Sequence, residues 1–261
     1  MNVDALLRLF SLQGRVALIT GASGGIGRCL AEGLAMAGAS VALSGRTVEK
    51  LESIQSTIEA QDGTAAVFPA DLRDAEAIPG LVAAVQARFG RIDVLVNCVG
   101  TNQRQPIHDV TPAVYDEIMQ TNLRSVYFLT RAVLPQMITQ GGGKIINIGS
   151  LTAAIGLANV SVYGMTKSAL AQLTKTMAVE WATHDIQVNC LCPGFIATEL
   201  TTALWEDAHR RQWILDRLPI KRAGEPADLL GMAIYLAGPA SNYVTGQTMY
   251  VDGGFLAGSQ W

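Results

Sequence analysis

Cysteine, histidine and aromatic side chains are scarce in this chain. Its four cysteines, Cys29, Cys98, Cys190 and Cys192, form no CxxC pair, and its three histidines stand far apart without a cysteine or carboxylate cluster. Protein metal centres are built from such clusters, so we expect no metal site. Cysteines without a pairing pattern are typical of buried apolar positions in a reducing compartment, which favours the cytoplasm.

The chain also lacks an excess of positive charge and any long apolar run. Its 19 basic and 22 acidic residues give a net charge of −3 and are scattered along the sequence. A surface without a basic excess does not neutralise phosphates, so we expect no nucleic-acid partner. No run approaches the roughly 20 apolar residues of a membrane span, so we expect no membrane partner. Asp4 and Arg8 interrupt the apolar N-terminal stretch, which does not resemble a signal peptide.

What the chain has in quantity is two alternating kinds of apolar segment. Short β-branched runs predict strands at 15–20, 40–44, 64–70, 92–97, 144–150, 187–192 and 248–251. Longer segments between them predict helices, including one over 74–89 with an acidic cap and a long one over roughly 111–139. Continuously apolar strands that alternate with helices indicate a parallel sheet covered on both faces. We therefore expect an α/β fold, a single doubly wound Rossmann-type domain over 1–261 with a seven-stranded parallel sheet and a substrate lid at about 196–222.

A glycine-rich loop joins the first predicted strand to the first predicted helix. It reads Thr20-Gly21-Ala22-Ser23-Gly24-Gly25-Ile26-Gly27, a Gly-x3-Gly-x-Gly spacing. Glycines at this junction let the backbone turn tightly and approach a dinucleotide pyrophosphate at the helix N-terminus. The residues expected to bind such a cofactor are Gly21, Ser23, Gly25, Ile26 and Gly27.

The end of the second predicted strand favours one dinucleotide over another. An acidic residue there would bond the ribose 2′-hydroxyl of NAD, whereas this chain has Ser44-Gly45-Arg46. The guanidinium of Arg46 can pair bidentately with a 2′-phosphate, so the sequence predicts NADP(H). The alternative is that Arg46 is a solvated loop arginine.

Tyr163 and Lys167 stand four residues apart in a segment that is predicted to be helical. This spacing places the phenol and the ammonium on one helix face, where the ammonium favours the phenolate form. A tyrosine in that environment can act as a general acid or base near neutral pH. The same spacing occurs by chance on many helices, so the pair gains meaning only with a cofactor and a carbonyl-binding group beside it.

Together these motifs resemble those of the short-chain dehydrogenase/reductase family over nearly the whole chain. In order they are the glycine loop, Asp71-Leu72, Asn97-Cys98-Val99-Gly100, Asn122, Ser150, Tyr163-x3-Lys167, and Pro193-Gly194 followed by Thr198. The resemblance implies an NADP(H)-dependent oxidoreductase that interconverts a ketone and a secondary alcohol, assembled as a homotetramer.

The resemblance also implies a role for each of these positions. Ser150 would polarise the substrate carbonyl, Tyr163 would exchange the proton, and Lys167 would bind the nicotinamide ribose and tune Tyr163. Asn122 would hold a water of the proton relay. Further cofactor contacts would come from Asp71, Leu72, Asn97, Gly100, Pro193, Gly194, Ile196 and Thr198. Gly24 stands where some NADP enzymes of the family carry a second basic residue, so the NADP preference rests on Arg46 alone.

Three stretches, 10–14, 193–200 and 213–219, narrow the resemblance to bacterial enzymes of the gluconate 5-dehydrogenase and 2-deoxy-gluconate 3-dehydrogenase type. The substrate implied is a small polyhydroxy (sugar) acid such as 5-keto-gluconate or gluconate. Those enzymes tend to carry an Arg-Arg pair where this chain has Gln103-Arg104, so one arginine is absent. A guanidinium matches a carboxylate geometrically, so Arg104 is the expected substrate contact beside Ser150 and Tyr163.

Two other interpretations stay open on the sequence alone. A 3-oxoacyl-carrier-protein reductase or a broad carbonyl reductase would share the motifs, and a basic rim for an acidic carrier could come from Arg104, Arg210, Arg211, Lys221 and Arg222. The chain could also be a catalytically idle NADP-binding sensor. An idle protein, however, has no chemical need for Asn122, Ser150, Tyr163 and Lys167 together.

Overall fold

A sheet of seven parallel strands lies at the centre of the structure, a computed structural model that describes residues 2–258. The strands are β1 (Val16–Thr20), β2 (Ser40–Gly45), β3 (Thr64–Pro69), β4 (Val94–Asn97), β5 (Gly143–Ile148), β6 (Ile186–Pro193) and β7 (Thr248–Val251). Their order across the sheet is β3-β2-β1-β4-β5-β6-β7. The predicted fold class is confirmed, and each predicted strand is present with ends shifted by at most two residues. The predicted domain limits, residues 1 and 261, lie outside the described residues.

Helices cover both faces of this sheet. Within residues 2–258 they are α1 (Val3–Arg8), α2 (Gly25–Met36), α3 (Val48–Glu59), α4 (Ala77–Phe89), α5 (Pro112–Met119), α6 (Ser125–Thr139), α7 (Ser161–Trp181), α8 (Thr202–Glu206), α9 (Ala208–Arg217) and α10 (Leu230–Ala237). One apolar cluster packs α2, α3 and α10 against the sheet, and a second packs α4, α6 and α7 against its other face. Burial on both faces explains why the central strands are apolar at nearly every position. None of the helices in this range has the length and apolar character needed to cross a membrane.

The predicted helix over 74–89 begins later than expected, at Ala77. Asp74 caps a turn that precedes the helix, because its carboxylate accepts a hydrogen bond of 2.9 Å from the backbone N–H of Glu76. Pro79 explains the shift. A proline is tolerated in the first turn of a helix but not further inside, where its ring meets the carbonyl four residues earlier.

The long helix predicted over 111–139 is present as a helical run from Pro112 to Thr139, but it is not regular throughout. A π-helical turn, Gln120–Arg124, separates α5 from α6. A π turn inserts one residue into the helical repeat, and such insertions are often found at functional sites. The buried residue in this turn is Asn122, so the interruption falls on a position that the sequence motifs single out.

The chain order reverses between β1 and β4, and this reversal positions the site. Chain segments leave the carboxyl ends of β1 and β4 in opposite directions, which opens a crevice at that edge of the sheet. The predicted lid lies beside it and contains a 3-10 turn (Glu199–Thr201), α8 and α9. A bridge between Ile196 and Gly224 closes the base of the lid. Apolar lid side chains such as Leu204 and Ile214 pack in one cluster with Leu151 and Phe195.

Candidate active site

The crevice is a cleft of about 570 Å³ at the carboxyl edge of the sheet. Sixteen of the predicted site residues line it, namely Gly21, Ser23, Gly25, Ile26, Gly27, Arg46, Asp71, Leu72, Gly100, Ser150, Tyr163, Lys167, Pro193, Gly194, Ile196 and Thr198. They come from seven separate stretches of the chain, which the parallel sheet brings to one edge. Three predicted residues, Asn97, Arg104 and Asn122, lie outside this lining.

The glycine loop forms a close-fitting cradle at one end of the cleft. Gly21 has a φ of +64°, and a Cβ there would lie 2.8 Å from the carbonyl oxygen of Cys98. A Cβ on Gly27 would overlap the carbonyl oxygen of Gly21, so both positions require glycine. Gly24 precedes α2 without a side-chain cap. The N–H groups of the first helical turn therefore remain free to bind a phosphate, which fits the pyrophosphate of a dinucleotide.

Positive charges lie on the cleft wall near the end of β2. Arg46 lines the wall there, and its charge is one of the causes that lower the pKa of Asp71. The principal cause is the side-chain hydrogen bonding of Arg73, whose Nε is 3.0 Å from the Asp71 carboxylate. Arg73 and Lys50 line the same wall. Neither residue was predicted from the sequence. Lys50 stands only four residues after Arg46, at the start of α3, and this spacing could have identified it.

The predicted catalytic pair lies at the other end of the cleft, on the first turns of α7. The ammonium of Lys167 is 5.6 Å from the centroid of the Tyr163 ring, so the two side chains share one face as the spacing predicted. Lys167 is only 4% exposed and donates a 2.7 Å hydrogen bond to the carbonyl of Ile148, the last residue of β5. This bond fixes the ammonium beside the strand end from which Ser150 follows.

Ser150 is positioned by a short turn after β5. Its Oγ accepts a hydrogen bond of 3.2 Å from the backbone N–H of Thr152. Because this contact uses an oxygen lone pair, the hydroxyl hydrogen is left free to donate into the cleft. A serine in this state can polarise a carbonyl.

The Asn122 side chain is fully used in holding the loop that follows β4. Its Oδ1 accepts from the N–H of Thr101 at 2.7 Å, and its Nδ2 donates to the carbonyl of the same residue at 2.9 Å and to Thr166 Oγ1 at 3.3 Å. The side chain thus ties this loop to the π turn and to α7. That Asn122 holds a water of the proton relay stays a prediction.

The Asn97 side chain does not line the cleft, and the cofactor contact expected of Asn97 stays a prediction. Asn97 is 1% exposed and lies below the floor of the cleft. Its Nδ2 donates to Asn147 Oδ1 at 2.8 Å and to Thr130 Oγ1 at 3.0 Å. An amide at this buried position satisfies other buried polar groups, so it joins β4 to β5 and α6.

Arg104 lies in the loop after β4, close to the catalytic end. The pKa of its guanidinium is lowered, first by burial and then by the positive charge of Arg210 on α9, while Tyr163 acts in the opposite direction. Arg104 is therefore within electrostatic reach of both residues. The sequence has no second arginine next to Arg104, but the lid supplies one in space. Arg210 itself lies 3.4 Å from the carboxylate of Asp207.

Residues 2–258 contain no group of three or more histidine, cysteine or acidic side chains that could hold a metal ion. At the catalytic end, the cleft wall carries the Ser150 hydroxyl, the Tyr163 phenol and the Lys167 ammonium.

Comparisons with known proteins agree with this geometry. The family described as Enoyl-(Acyl carrier protein) reductase matches residues 21–256. Gluconate 5-dehydrogenase of Gluconobacter oxydans is 42% identical over 246 residues, which are 94% of this chain and 96% of that protein. The 2-dehydro-3-deoxy-D-gluconate 5-dehydrogenase of Escherichia coli is 42% identical over 97% of this chain and 99% of its own. The crystal structure of a gluconate 5-dehydrogenase from Burkholderia cenocepacia, in complex with NADP and tartrate, superimposes with a TM-score of 0.94 at 39% identity and covers 97% and 99% of the two chains.

Alanine substitutions separate a glycine that the cradle requires from one that it does not. Gly27→Ala is expected to displace the loop and to weaken NADP⁺ binding by at least about tenfold, because the new Cβ overlaps the Gly21 carbonyl. Gly24→Ala is the matched control, since a Cβ there lies 3.5 Å from the same oxygen, an ordinary contact. Titration calorimetry measures both affinities. Equal affinities for the two variants would contradict the cradle.

Proposed function

This chain belongs to the short-chain dehydrogenase/reductase family, and on that premise we propose that it interconverts a ketone and a secondary alcohol on a small sugar acid with NADP(H). The observation that carries the proposal is the meeting of Ser150, Tyr163 and Lys167 with the glycine cradle in one cleft. A cleft with the glycine cradle at one end and these three side chains at the other can align a dinucleotide with a carbonyl, which is the positioning that hydride transfer requires.

The proposed substrate is 5-keto-gluconate in reduction, or gluconate in oxidation. The two relatives in the sequence comparison are named as dehydrogenases of gluconate and of a dehydro-deoxy-gluconate. Both substrates are polyhydroxy acids with a carboxylate. The related B. cenocepacia structure holds tartrate, another polyhydroxy acid, together with NADP. What these names share, and therefore support, is the substrate class of polyhydroxy acids rather than one particular compound.

Each catalytic residue has a proposed task in the proton chemistry. When bound, NADPH supplies the hydride for reduction of the carbonyl. The free hydroxyl hydrogen of Ser150 donates to the carbonyl oxygen, and the phenol of Tyr163 gives its proton to the same oxygen as negative charge develops there. The ammonium of Lys167 stabilises the phenolate that remains. In oxidation the same groups act in reverse, with Tyr163 accepting the proton.

Arg104 is the proposed contact for the substrate carboxylate. Its electrostatic coupling to Tyr163 supports a position next to the reacting end, and its coupling to Arg210 supports a site with a second positive charge within electrostatic reach. Such a site favours an anion, because an anion relieves the repulsion between the two cations. We propose that the lid brings Arg210 to the substrate and so compensates for the absent neighbour of Arg104.

We also propose a homotetramer in the cytoplasm. Exposed apolar side chains on α6 and α7, among them Tyr127 at 47% and Val179 at 81% exposure, support assembly through these helices. Light scattering on the eluted protein is expected to give a mass near four times the 27.7 kDa of the chain. A monomeric mass would contradict the assembly.

A substrate panel tests the proposed activity. NADPH oxidation is followed with 5-keto-gluconate, with other keto-sugar acids and with an acetoacetyl thioester, which represents a carrier-protein reductase. We expect turnover on the keto-sugar acids and a KM that rises at least about tenfold in Arg104→Ala, since the carboxylate loses a charged partner. Arg88→Ala, an exposed arginine on α4, is the control. Turnover restricted to the thioester would contradict the substrate class while leaving the reaction type in place.

A further inference from the structure

An ion pair crosses the mouth of the cleft, between Lys50 and Glu199. Lys50 lies in the first turn of α3, and its ammonium is 3.1 Å from the carboxylate of Glu199, which begins the 3-10 turn of the lid. The side chains are 51% and 82% exposed. An ion pair as exposed as this contributes little to the stability of the fold, because water and salt screen it. Lys50 is therefore available to a stronger anionic partner.

The position of this pair relates it to the cofactor cradle. A Cβ on Gly25 would lie 3.1 Å from the side chain of Thr198, so the segment before Glu199 packs against the glycine loop. A Cβ on Gly45 would lie 3.2 Å from Ser23 Oγ, so the end of β2 packs against the same loop. The loop, the end of β2 with Arg46 and the start of the lid thus meet in one corner of the cleft.

We propose that Lys50 is a second binding group for the 2′-phosphate of NADP(H), and that Glu199 competes with the phosphate for it. The proposal rests on the proposed function only for the identity of the cofactor. A phosphate monoester carries up to about two negative charges, against one on Glu199, so it attracts the ammonium more strongly. The NADP preference then depends on two cations rather than on Arg46 alone.

Arg73, the third cation on this wall, is a weaker candidate for the same role. Its guanidinium contacts both carboxylate oxygens of Asp71, and this pairing neutralises its charge. Asp71 is also bonded to the backbone N–H of Arg73 at 3.0 Å, which holds the pair in place. The partner of Lys50, by contrast, is Glu199, which lies on a different segment of the chain. A ligand can therefore replace Glu199 beside Lys50 without disturbing the helix that carries Lys50.

If Glu199 and the phosphate compete for Lys50, substitutions of Lys50 and Glu199 should have opposite effects on NADP⁺ binding. Removing the charge of Lys50 should weaken NADP⁺ binding, and removing the charge of Glu199 should strengthen it, because the lysine is then released to the phosphate. NAD⁺ has a hydroxyl at the 2′ position, so its binding should respond to neither change. The double variant should match the lysine variant, since Glu199 acts through Lys50.

Calorimetric dissociation constants for NADP⁺ and NAD⁺ test this in Lys50→Met, Glu199→Gln and the double variant. We expect NADP⁺ binding to weaken about fivefold in Lys50→Met and to strengthen about twofold in Glu199→Gln, with NAD⁺ unchanged. Glu52→Gln, which removes an exposed charge from the same helix, is the control for a non-specific charge effect and should change neither constant.

Two results would overturn the proposal. Equal changes for NADP⁺ and NAD⁺ in both single variants would show that the pair only holds the lid. Tighter NADP⁺ binding in the double variant than in Lys50→Met would show that Glu199 repels the phosphate directly. No substrate is present in these titrations, so their outcome is separate from that of the keto-acid panel. Failure of the panel would leave the assignment of Lys50 standing.

Discussion

The geometry of the site depends on the hydrogen bond between the buried ammonium of Lys167 and the carbonyl of Ile148. A buried charge is costly unless hydrogen bonds and nearby dipoles compensate it, and within residues 2–258 this ammonium has the Ile148 carbonyl at 2.7 Å and no ion pair. That bond joins α7 to the end of β5, so Tyr163 and Ser150 are brought to the same place. The neighbouring thiol of Cys98 does not compete for the ammonium as a thiolate, since burial raises its pKa to about 12 even though Lys167 acts in the opposite direction. The remaining donor capacity of Lys167 is thus available to the phenol and to a bound cofactor.

Around this charge, the residues that do not touch the cleft are as informative as those that do. Asn122 uses its whole side chain to fix the loop after β4, and Asn97 joins the strands below the floor. The distances between the two ends of the cleft are therefore set by buried hydrogen bonds rather than by flexible surface contacts. The polar ends of the cleft divide the chemistry between them. In the proposed function, the glycine cradle and the cations near β2 select the dinucleotide, while the catalytic end and the Arg104 loop select the carbonyl substrate.

Much of this could be predicted from the sequence, because the relevant signals are local. Apolar strands and intervening helices define a sheet covered on both faces, and motifs at strand ends must meet at one edge of a parallel sheet. What could not be predicted depends on single-residue offsets or on distant contacts. Helical periodicity in a sequence does not reveal the residue inserted by the π turn near Asn122. A sequence motif likewise does not tell whether the side chain of Asn97 faces the cleft or the core. The contact between Lys50 and Glu199 joins positions 149 residues apart, and the approach of Arg210 to Arg104 depends on how the lid folds.

In the proposed mechanism Tyr163, held beside Lys167, donates the proton to the carbonyl oxygen during reduction. This role is tested by the steady-state turnover of the Tyr163→Phe variant, together with its affinity for NADPH as measured by fluorescence titration. Removing only the hydroxyl should lower kcat by at least about a hundredfold, because the general acid is lost, while the NADPH dissociation constant changes by less than about threefold. Turnover near that of the unmodified protein, with NADPH bound normally, would show that Tyr163 is not the proton donor.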